Sequence, residues 1–534
     1  MAPSILTASL QLLSLGVALV AASPCVKTCP PDLKDRLVTE TTNGRVIGHV
    51  ASNTSCVVEY LGIPYAKPPV GQLRFAAPEK ITGPPSTYEA AKYGLDCPSV
   101  PSAPPTFPDL TPQALRIVSY FAGASGTPQG EDCLTLNVWS RPSAKQPAAK
   151  KPILVFFHGG RFAIGNTNSP MYTGKYLAEA EDLVVVTVTY RLSVFGFPGA
   201  PGLESQNLGI RDQRAAVEWV RDNAAAFGGD ASRITISGQS SGGVAVDYWT
   251  YAYSDDPIAH AIVATSGNAF SFPVNAPGVP ERNWNTVVEA VGCGADADEM
   301  ACMRRANWSA INAAAGAVRP AASSSVLRSV PAFYPIPDGE IVFAPEEYVD
   351  RTAQNSFAPI PTLMGHNHNE DGYYRLPVFR NGVIPTPAQV QTFLLESFTC
   401  PVSFQSQARA ARGVPAFAYR FMADWDNTRL FPTSGAYHGV DLHMVFGASQ
   451  DTSGLPPSPD QKRLTRLMQR MWASFSADPA EGLTKALGWP VWDPESETLA
   501  VLGRNNSPGV SYVKPGEFDA LCGNVTLGAL GVPV

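Results

Sequence analysis

The stretch Arg233-Ile-Thr-Ile-Ser-Gly-Gln-Ser-Ser-Gly-Gly-Val244 constrains the fold of this chain more than any other. Arg233 to Ser237 is short and rich in β-branched residues, so it reads as a buried strand. Gly238-Gln239-Ser240-Ser241-Gly242 then fits the pattern G-x-S-x-G, and a helix can follow from Gly243 through Ala245, Val246 and Trp249. A strand that turns at once into a helix holds its serine at the tip of a strained bend, a nucleophile elbow. Gly238 and Gly242 leave room for the close backbone approach of such a turn. Ser240 is then expected to stand exposed at the carboxyl end of a strand. The Ser241 N–H begins a helix, where that donor lacks an intrahelical partner. An ordinary strand–loop–helix connection gives the same five residues by chance, so the rest of the chain has to decide.

Around the elbow the pattern alternates strand, loop and helix. Ile153 to Phe157 and Leu183 to Tyr190 are near-continuous apolar runs, as strands covered on both faces require. Ile210 to Phe227 reads as a helix with an apolar stripe at Ala216, Val217, Val220, Ala224 and Phe227, ended by Gly228-Gly229. Further strands are expected at Arg45–Val50, Cys56–Ile63, Leu134–Trp139, Ala261–Ala264, Thr362–Gly365 and Phe417–Phe421. The alternation predicts an α/β fold, a large and mostly parallel central sheet with helices on both faces. Proline and glycine are spread evenly, with no internal repeat and no clear linker. Residues 23–534 therefore read as a single domain.

Residues 1–22 read as a secretory signal, with an apolar run from Leu6 to Val20 and the small residues Ala21 and Ala22 at its end. A membrane anchor is the competing reading. The run is short for a span and has no basic flank after it, so no stable membrane anchor is expected. The net charge of −7 comes without blocks of like charge, which points away from nucleic acid as a partner. A secreted chain meets oxidising conditions, so most of its nine cysteines should be paired, and at least one is left over. Sequons at Asn53, Asn307, Asn505 and Asn524 fit an N-glycosylated protein.

A serine hydroxyl is a poor nucleophile until a base takes its proton and an acid orients that base. The chain has seven histidines. His49 lies in an early hairpin, His158 in a glycine turn, His260 just after the elbow helix, and His443 on a helical stretch. His366 and His368 flank the candidate acids. His438 follows the loop Pro432 to Ala436 and is placed to reach a site from a loop. For the acid, Gly365-His-Asn-His-Asn-Glu370-Asp371-Gly372 follows an apolar strand directly, where open α/β sheets carry their functional residues. Glu370 and Asp371 are both candidates. The order Ser240, Glu370, His438 is the chain order of α/β-hydrolases. Phe157-His158-Gly159-Gly160-Arg161-Phe162 follows another apolar strand and precedes the nucleophile, where a glycine-rich oxyanion loop belongs.

At this point the chain resembles the type-B carboxylesterase/cholinesterase family of α/β-hydrolases, from about Val38 to its end. The likeness includes Glu59-Tyr-Leu-Gly-Ile-Pro-Tyr-Ala-Lys-Pro-Pro69, Glu131-Asp-Cys-Leu-Thr-Leu-Asn-Val-Trp139 and Asn207-Leu-Gly-Ile-Arg-Asp-Gln-Arg214. It continues through Phe227-Gly-Gly-Asp230, His438-Gly439 and Val445-Phe446-Gly447. The resemblance implies Ser240 as nucleophile, His438 as base and Glu370, which keeps the usual distance from Gly365, as acid. It implies an oxyanion hole from Gly160, Arg161 and Ser241. It also implies the disulfides Cys97–Cys133, Cys293–Cys302 and Cys400–Cys522, which leaves one pair to be drawn from Cys25, Cys29 and Cys56. Three departures stand out. Arg161 replaces the third glycine of the oxyanion loop, Gln239 replaces a glutamate before the nucleophile, and Asp371 separates the acid from its glycine. The 97–133 loop has no tryptophan to hold a quaternary ammonium, which argues against a cholinesterase.

The resulting expectation is a secreted, glycosylated serine esterase that needs no cofactor and no metal and acts on small-molecule esters. The alternatives are a lipase with a mobile 97–133 lid, a pathway-specific or lactone-forming enzyme using the same acyl-enzyme, and a non-catalytic cholinesterase-like binding protein. Within that loop, Leu110 to Phe121 reads as an amphipathic helix beside the proline-rich Pro98 to Pro108. It is expected to form a fixed wall of an apolar pocket, with Tyr120 and Phe121 on the helix and Phe270 and Phe272 opposite.

Overall fold

The computed structural model describes residues 29–54, 56–142, 150–321 and 325–530. The signal stretch 1–22 and Cys25 lie outside the described residues. Among the described residues fourteen strands are present: β1 (Val38–Thr41), β2 (Gly44–Ile47), β3 (His49–Val50), β4 (Val58–Pro64), β5 (Ser86–Glu89), β6 (Thr135–Ser140) and β7 (Lys151–Phe157), then β8 (Val184–Val188), β9 (Gly229–Gln239), β10 (Ala261–Thr265), β11 (Thr362–Asn367), β12 (Ala416–Phe421), β13 (Leu499–Leu502) and β14 (Val510–Val513). Eleven of them form one sheet in the order β14-β13-β12-β11-β10-β9-β7-β8-β6-β4-β3, and β1, β2 and β5 form a small second sheet. Every pairing from β8 across to β13 is parallel. The outer pairings are antiparallel. This is the mixed, mostly parallel sheet of an α/β-hydrolase.

The period-2 alternation of strand side chains builds a core on each face of the sheet. Ile153, Val155, Val184, Val186, Ile234, Ile236 and Ile262 pack on one side with Ala216, Val217 and Val220 of the helix Leu208–Asn223 and with Trp249. Leu154, Phe156, Val185, Val263, Leu363 and Phe417 pack on the other with Leu464, Met468 and Trp472 of the helix Pro459–Ala477. Both faces are covered, which is why β7, β8 and β10 are buried along their whole length and read as continuous apolar runs.

Register then sets the site. Gln239 at the end of β9 lies beside Thr265 at the end of β10, and Thr265 lies beside Gly365 of β11. The segments that leave these strands, carrying Ser240, Ser266 and Glu370, therefore emerge at one level of the sheet's carboxyl edge. Three expected elements are trimmed. The helix expected over 210–227 runs Leu208–Asn223 and tightens into a 3₁₀ turn over Ala224–Phe227 before Gly228 at φ 75°. The helix expected from Leu110 begins at Ala114. The strand expected over 45–50 breaks at Gly48, where a Cβ would fall 2.5 Å from the Tyr60 ring.

The three disulfides implied by the resemblance are present, and the fourth joins Cys29 to Cys56. Asn53, Asn307, Asn505 and Asn524 are all exposed. Among the described residues, no helix is long and apolar enough to cross a membrane.

Three histidines are sealed inside this fold. Burial pushes His158 down to about 4 and His443 down to about 3, and holds His366 well below its usual value with help from Arg420. Unfolding frees each to titrate near its ordinary pKa of about 6.5. The folded pKa values are depressed, so on acidification the unfolded chain takes up protons first. The stability these groups contribute is present above pH 6.5 and is lost as pH falls toward 4. Burial also pushes the carboxyls of Asp96 and Asp441 up to about 6, which acts with the opposite sign between pH 4 and 6. Burial also lowers His260 and His368, the latter to about 4, and raises the carboxyls of Asp247 and Asp371, so five depressed histidines stand against four raised carboxyls and stability is predicted to fall between pH 6.5 and 4.5. Neither ring nitrogen of His443 has a partner among the described residues. His443→Phe should therefore show a smaller drop in thermal midpoint over that range. Equal drops in the two proteins would remove His443 from the account.

Candidate active site

Ser240 caps the helix Ser241–Ala252 with φ 57° and ψ −121°, a conformation an L-residue adopts only under constraint. Two backbone bonds hold it: its N–H donates to Thr265 O at 2.8 Å and its carbonyl accepts from Val244 N at 2.9 Å. The flanking glycines are required by contact. A Cβ on Gly238 would lie 2.1 Å from Gly242 O, and one on Gly242 would lie 2.1 Å from Phe157 O. Ser240 is only 4% exposed, so the tip of the elbow forms the floor of a cavity and does not face open solvent as expected.

The loop after β12 carries His438, and the turn after β11 carries Glu370. His438 Nδ1 donates to Glu370 Oε2 at 2.5 Å. The other carboxylate oxygen accepts from Ser266 Oγ at 2.7 Å and from Asn367 N at 2.6 Å. Glu370 is fully buried, so these bonds fix its orientation. Asp371, the other candidate acid, is a residue of the helix Asp371–Arg380 and pairs instead with Arg375 at 2.6 Å, one turn along that helix.

With Nδ1 committed to Glu370, His438 Nε2 is left as an acceptor. Gln239 Nε2 lies 3.1 Å from it and the Tyr374 hydroxyl 3.4 Å. Among the described residues, no hydrogen bond joins Ser240 Oγ to Nε2; the Ser240 side chain lies beside the Tyr374 hydroxyl. Of the other histidines, His158 is spoken for by the carbonyl of Gly159 and a stack on Tyr190 at 4.5 Å.

The oxyanion loop leaves β7 and folds against the elbow. Gly160, Arg161 and Phe162 all have positive φ, at 108°, 57° and 55°. The turn closes through Ile164 N to Gly160 O at 3.0 Å, and Phe162 N donates to Ser241 Oγ at 3.2 Å. The N–H groups of Gly160, Arg161 and Ser241 meet no protein acceptor among the described residues. Gly159 packs so closely that a Cβ there would lie 2.9 Å from Ser240 Cβ. Arg161 thus holds a backbone conformation that glycine takes freely and other residues resist.

Two recesses meet at Ser240. A cavity of about 170 Å³ runs past Phe121, Val118, Tyr373, Tyr374, Leu376 and His438. A smaller one of about 20 Å³ lies behind Ser241, walled by Phe272, Leu327, Val330 and Tyr334. Of the four aromatic residues expected here, Phe121 and Phe272 line these recesses. The Phe121 ring stands edge-on to His438 at 6.0 Å. Tyr120 does not reach them: one step along a helix turns it away from the cavity onto Arg116, 5.4 Å from its ring. Phe270 is sealed in the core against Phe404 and Tyr348 and is likewise corrected out of the wall. The residues sequence reasoning passed over are Ser266, Tyr373, Tyr374, Leu327 and Tyr334, while Gln239 was noted as a departure without its contact to His438. Only the tyrosine pair carried a signal, since it directly follows the acid-bearing turn.

The helix Ala114–Phe121 is pinned at its start. Thr111 Oγ1 donates to Arg429 O at 2.6 Å, Gln113 Nε2 to Asp426 O at 2.7 Å and Arg116 Nε to Thr452 O at 3.0 Å. Its buried side chains Ala114, Ile117 and Phe121 face the core and the cavity, while Leu115 stays exposed.

The sequence model of the Carboxylesterase family matches residues 35–393 and 385–515. "Secreted lipase 5" of Gibberella zeae is 32% identical over 521 residues, covering 91% of this chain and 95% of its own length. "Chlorogenic acid esterase" of Aspergillus niger is 29% identical over 544 residues, covering 96% of this chain and 100% of its own length. "Para-nitrobenzyl esterase" of Bacillus subtilis is 27% identical over 500 residues, covering 87% and 94%.

Proposed function

This chain belongs to the carboxylesterase family and is a carboxylic-ester hydrolase, and we propose that it works through an acyl-enzyme on Ser240. His438 Nε2 takes the Ser240 proton as Oγ attacks the ester carbonyl. Glu370, bonded to Nδ1, holds the ring in the required tautomer and stabilises the imidazolium that forms. The N–H groups of Gly160, Arg161 and Ser241, which meet no competing acceptor among the described residues, donate to the developing oxyanion. His438 then returns the proton to the leaving alcohol. A water repeats the sequence, with His438 as base, and releases the acid. The observation that carries this reading is the Glu370–His438 bond at 2.5 Å beside a serine held at φ 57°.

The intact set Ser240, His438 and Glu370 argues against a non-catalytic binding role. Four disulfides, four exposed sequons and the word "secreted" in a relative's name support an extracellular enzyme. The pinned helix Ala114–Phe121 favours a fixed wall over a mobile lid. Wild-type protein should therefore hydrolyse 4-nitrophenyl butyrate, and its rate on tributyrin should saturate smoothly through the solubility limit. No hydrolysis of either ester would sink the reading, and a jump in rate at that limit would replace the fixed wall with a lipase lid.

A further inference from the structure

We propose that this site selects esters bearing a negative charge, a carboxylate held by Arg161 at the wall of the catalytic cavity. The proposal rests on the esterase reading above. Arg161 lines both recesses that meet at Ser240. Its backbone lies in the oxyanion loop, so its side chain starts within one residue of the reacting carbonyl. A guanidinium offers five N–H donors in a fork suited to a carboxylate. The protein uses this one through Nη1 to the neutral Ser329 hydroxyl at 3.1 Å. No carboxylate among the described residues forms an ion pair with it.

The charges around it point the same way. Among the described residues, no aspartate or glutamate lines either recess. Glu370 lies behind His438 and is used up by Ser266, Asn367 and His438 itself. Asp371 is paired with Arg375. Arg328, at the smaller recess, is paired with Glu396 at 2.7 Å. Arg380 adds a second cation to the rim of the larger cavity, with Nη1 on Ala103 O. Gln239 puts a neutral amide against His438. Burial raises the hydroxyls of Tyr334, Tyr373 and Tyr374 above their usual range and the Arg161 charge opposes this in each, which places the guanidinium near all three. Arg161 and its neighbour Phe162 hold φ 57° and 55°, so the oxyanion loop carries backbone strain at two adjacent side-chain-bearing positions. The Arg161 guanidinium, bonded to the Ser329 hydroxyl and to no carboxylate among the described residues, lies at the wall that both recesses share.

The test compares matched esters that differ in charge and hardly in shape. On the acyl side, methyl 4-carboxybenzoate is set against methyl 4-carbamoylbenzoate. On the alcohol side, 4-acetoxybenzoate is set against 4-acetoxybenzamide. Each kcat/KM is divided by the hydroxide-catalysed rate of the same ester, and 4-nitrophenyl butyrate serves as the neutral reference. The wild-type protein should prefer the charged member of at least one pair by roughly tenfold, as one charge-assisted hydrogen bond implies. The preference should shrink in 0.5 M salt. It should vanish in Arg161→Leu and partly return in Arg161→Lys. Both variants touch the oxyanion loop and will slow neutral esters too, so the charged-to-neutral ratio is the readout. The salt dependence of the wild type stands even where a variant fails to fold. Hydrolysis of 4-nitrophenyl butyrate without preference for a charged ester overturns the proposal alone, as does an unchanged ratio in Arg161→Leu. Failure to hydrolyse any of the five overturns the esterase reading beneath it.

Discussion

Ser240→Ala is expected to lower kcat/KM for 4-nitrophenyl butyrate by about 10⁴- to 10⁶-fold while the thermal midpoint stays close to that of the wild type. The two outcomes follow from different parts of the elbow. The backbone bonds of residue 240, to Thr265 O and from Val244 N, do not involve the hydroxyl. Alanine keeps the Cβ, so the strain at φ 57° is unchanged. The neighbouring hydroxyls are held by other groups: Ser241 Oγ accepts from Phe162 N, Ser266 Oγ donates to Glu370 and Ser329 Oγ accepts from Arg161. What remains is the oxyanion donors acting on a water-driven reaction, typically worth about 10³- to 10⁴-fold over water. Parallel kinetics and thermal unfolding check both halves. A variant retaining a tenth of the activity would mean that another group attacks the ester.

The largest effect on stability is expected from Arg409→Met. Arg409 and Asp247 are both fully buried and bonded at 3.0 Å. Asp247 lies in the elbow helix, and its carboxylate also accepts from Gln405 Nε2 at 2.6 Å and Ala269 N at 2.9 Å. Burial raises the Asp247 carboxyl above its usual range even with the guanidinium opposing it. Methionine fills much of the space but leaves a buried carboxylate without its counter-charge. Breaking such a pair typically costs about 3–5 kcal/mol, a large share of the roughly 5–15 kcal/mol of a folded domain. Arg409→Met with Asp247→Leu should recover part of this, since removing both partners of a buried pair is far less costly than removing one. The recovery is partial because Ala269 N also loses its acceptor. Denaturant midpoints of the two variants decide it. A loss under about 1 kcal/mol for Arg409→Met would show that the Asp247 carboxyl is neutral in the native protein.

The sheet was legible where burial makes sequence simple. The cores of β7 to β12 are apolar runs between turn residues, and each was expected within a few residues of its place. The strands that were missed are short, and β1 and β5 are polar: Val38-Thr-Glu-Thr41 and Ser86-Thr-Tyr-Glu89 have little apolar surface to reveal them. Glu370 and Asp371 are adjacent, and only the start of the helix at Asp371 separates a residue free to face His438 from one bonded to Arg375. Tyr120 and Phe121 differ by one helical step, and that step divides a cavity wall from a surface contact with Arg116. Phe270 and Phe272 lie two residues apart in the turn after β10, one buried against Phe404 and the other at the small recess. Leu327 and Tyr334 come from a segment without periodicity, far from every motif, and only tertiary packing brings them to Ser240. The pairing of Cys29 with Cys56 depended on spatial proximity that spacing alone could not supply.

The central claim is that Ser240 attacks the ester carbonyl, activated by His438 and Glu370. Diethyl 4-nitrophenyl phosphate reports on it directly, because attack by an activated serine releases one 4-nitrophenolate and leaves the diethylphosphoryl group on its oxygen. We predict one equivalent of nitrophenolate per protein chain, loss of activity on 4-nitrophenyl butyrate in step with that release, and the added mass on the peptide containing Ser240. Phosphorylation of a different residue, or full esterase activity in protein that releases no nitrophenolate, would contradict the account.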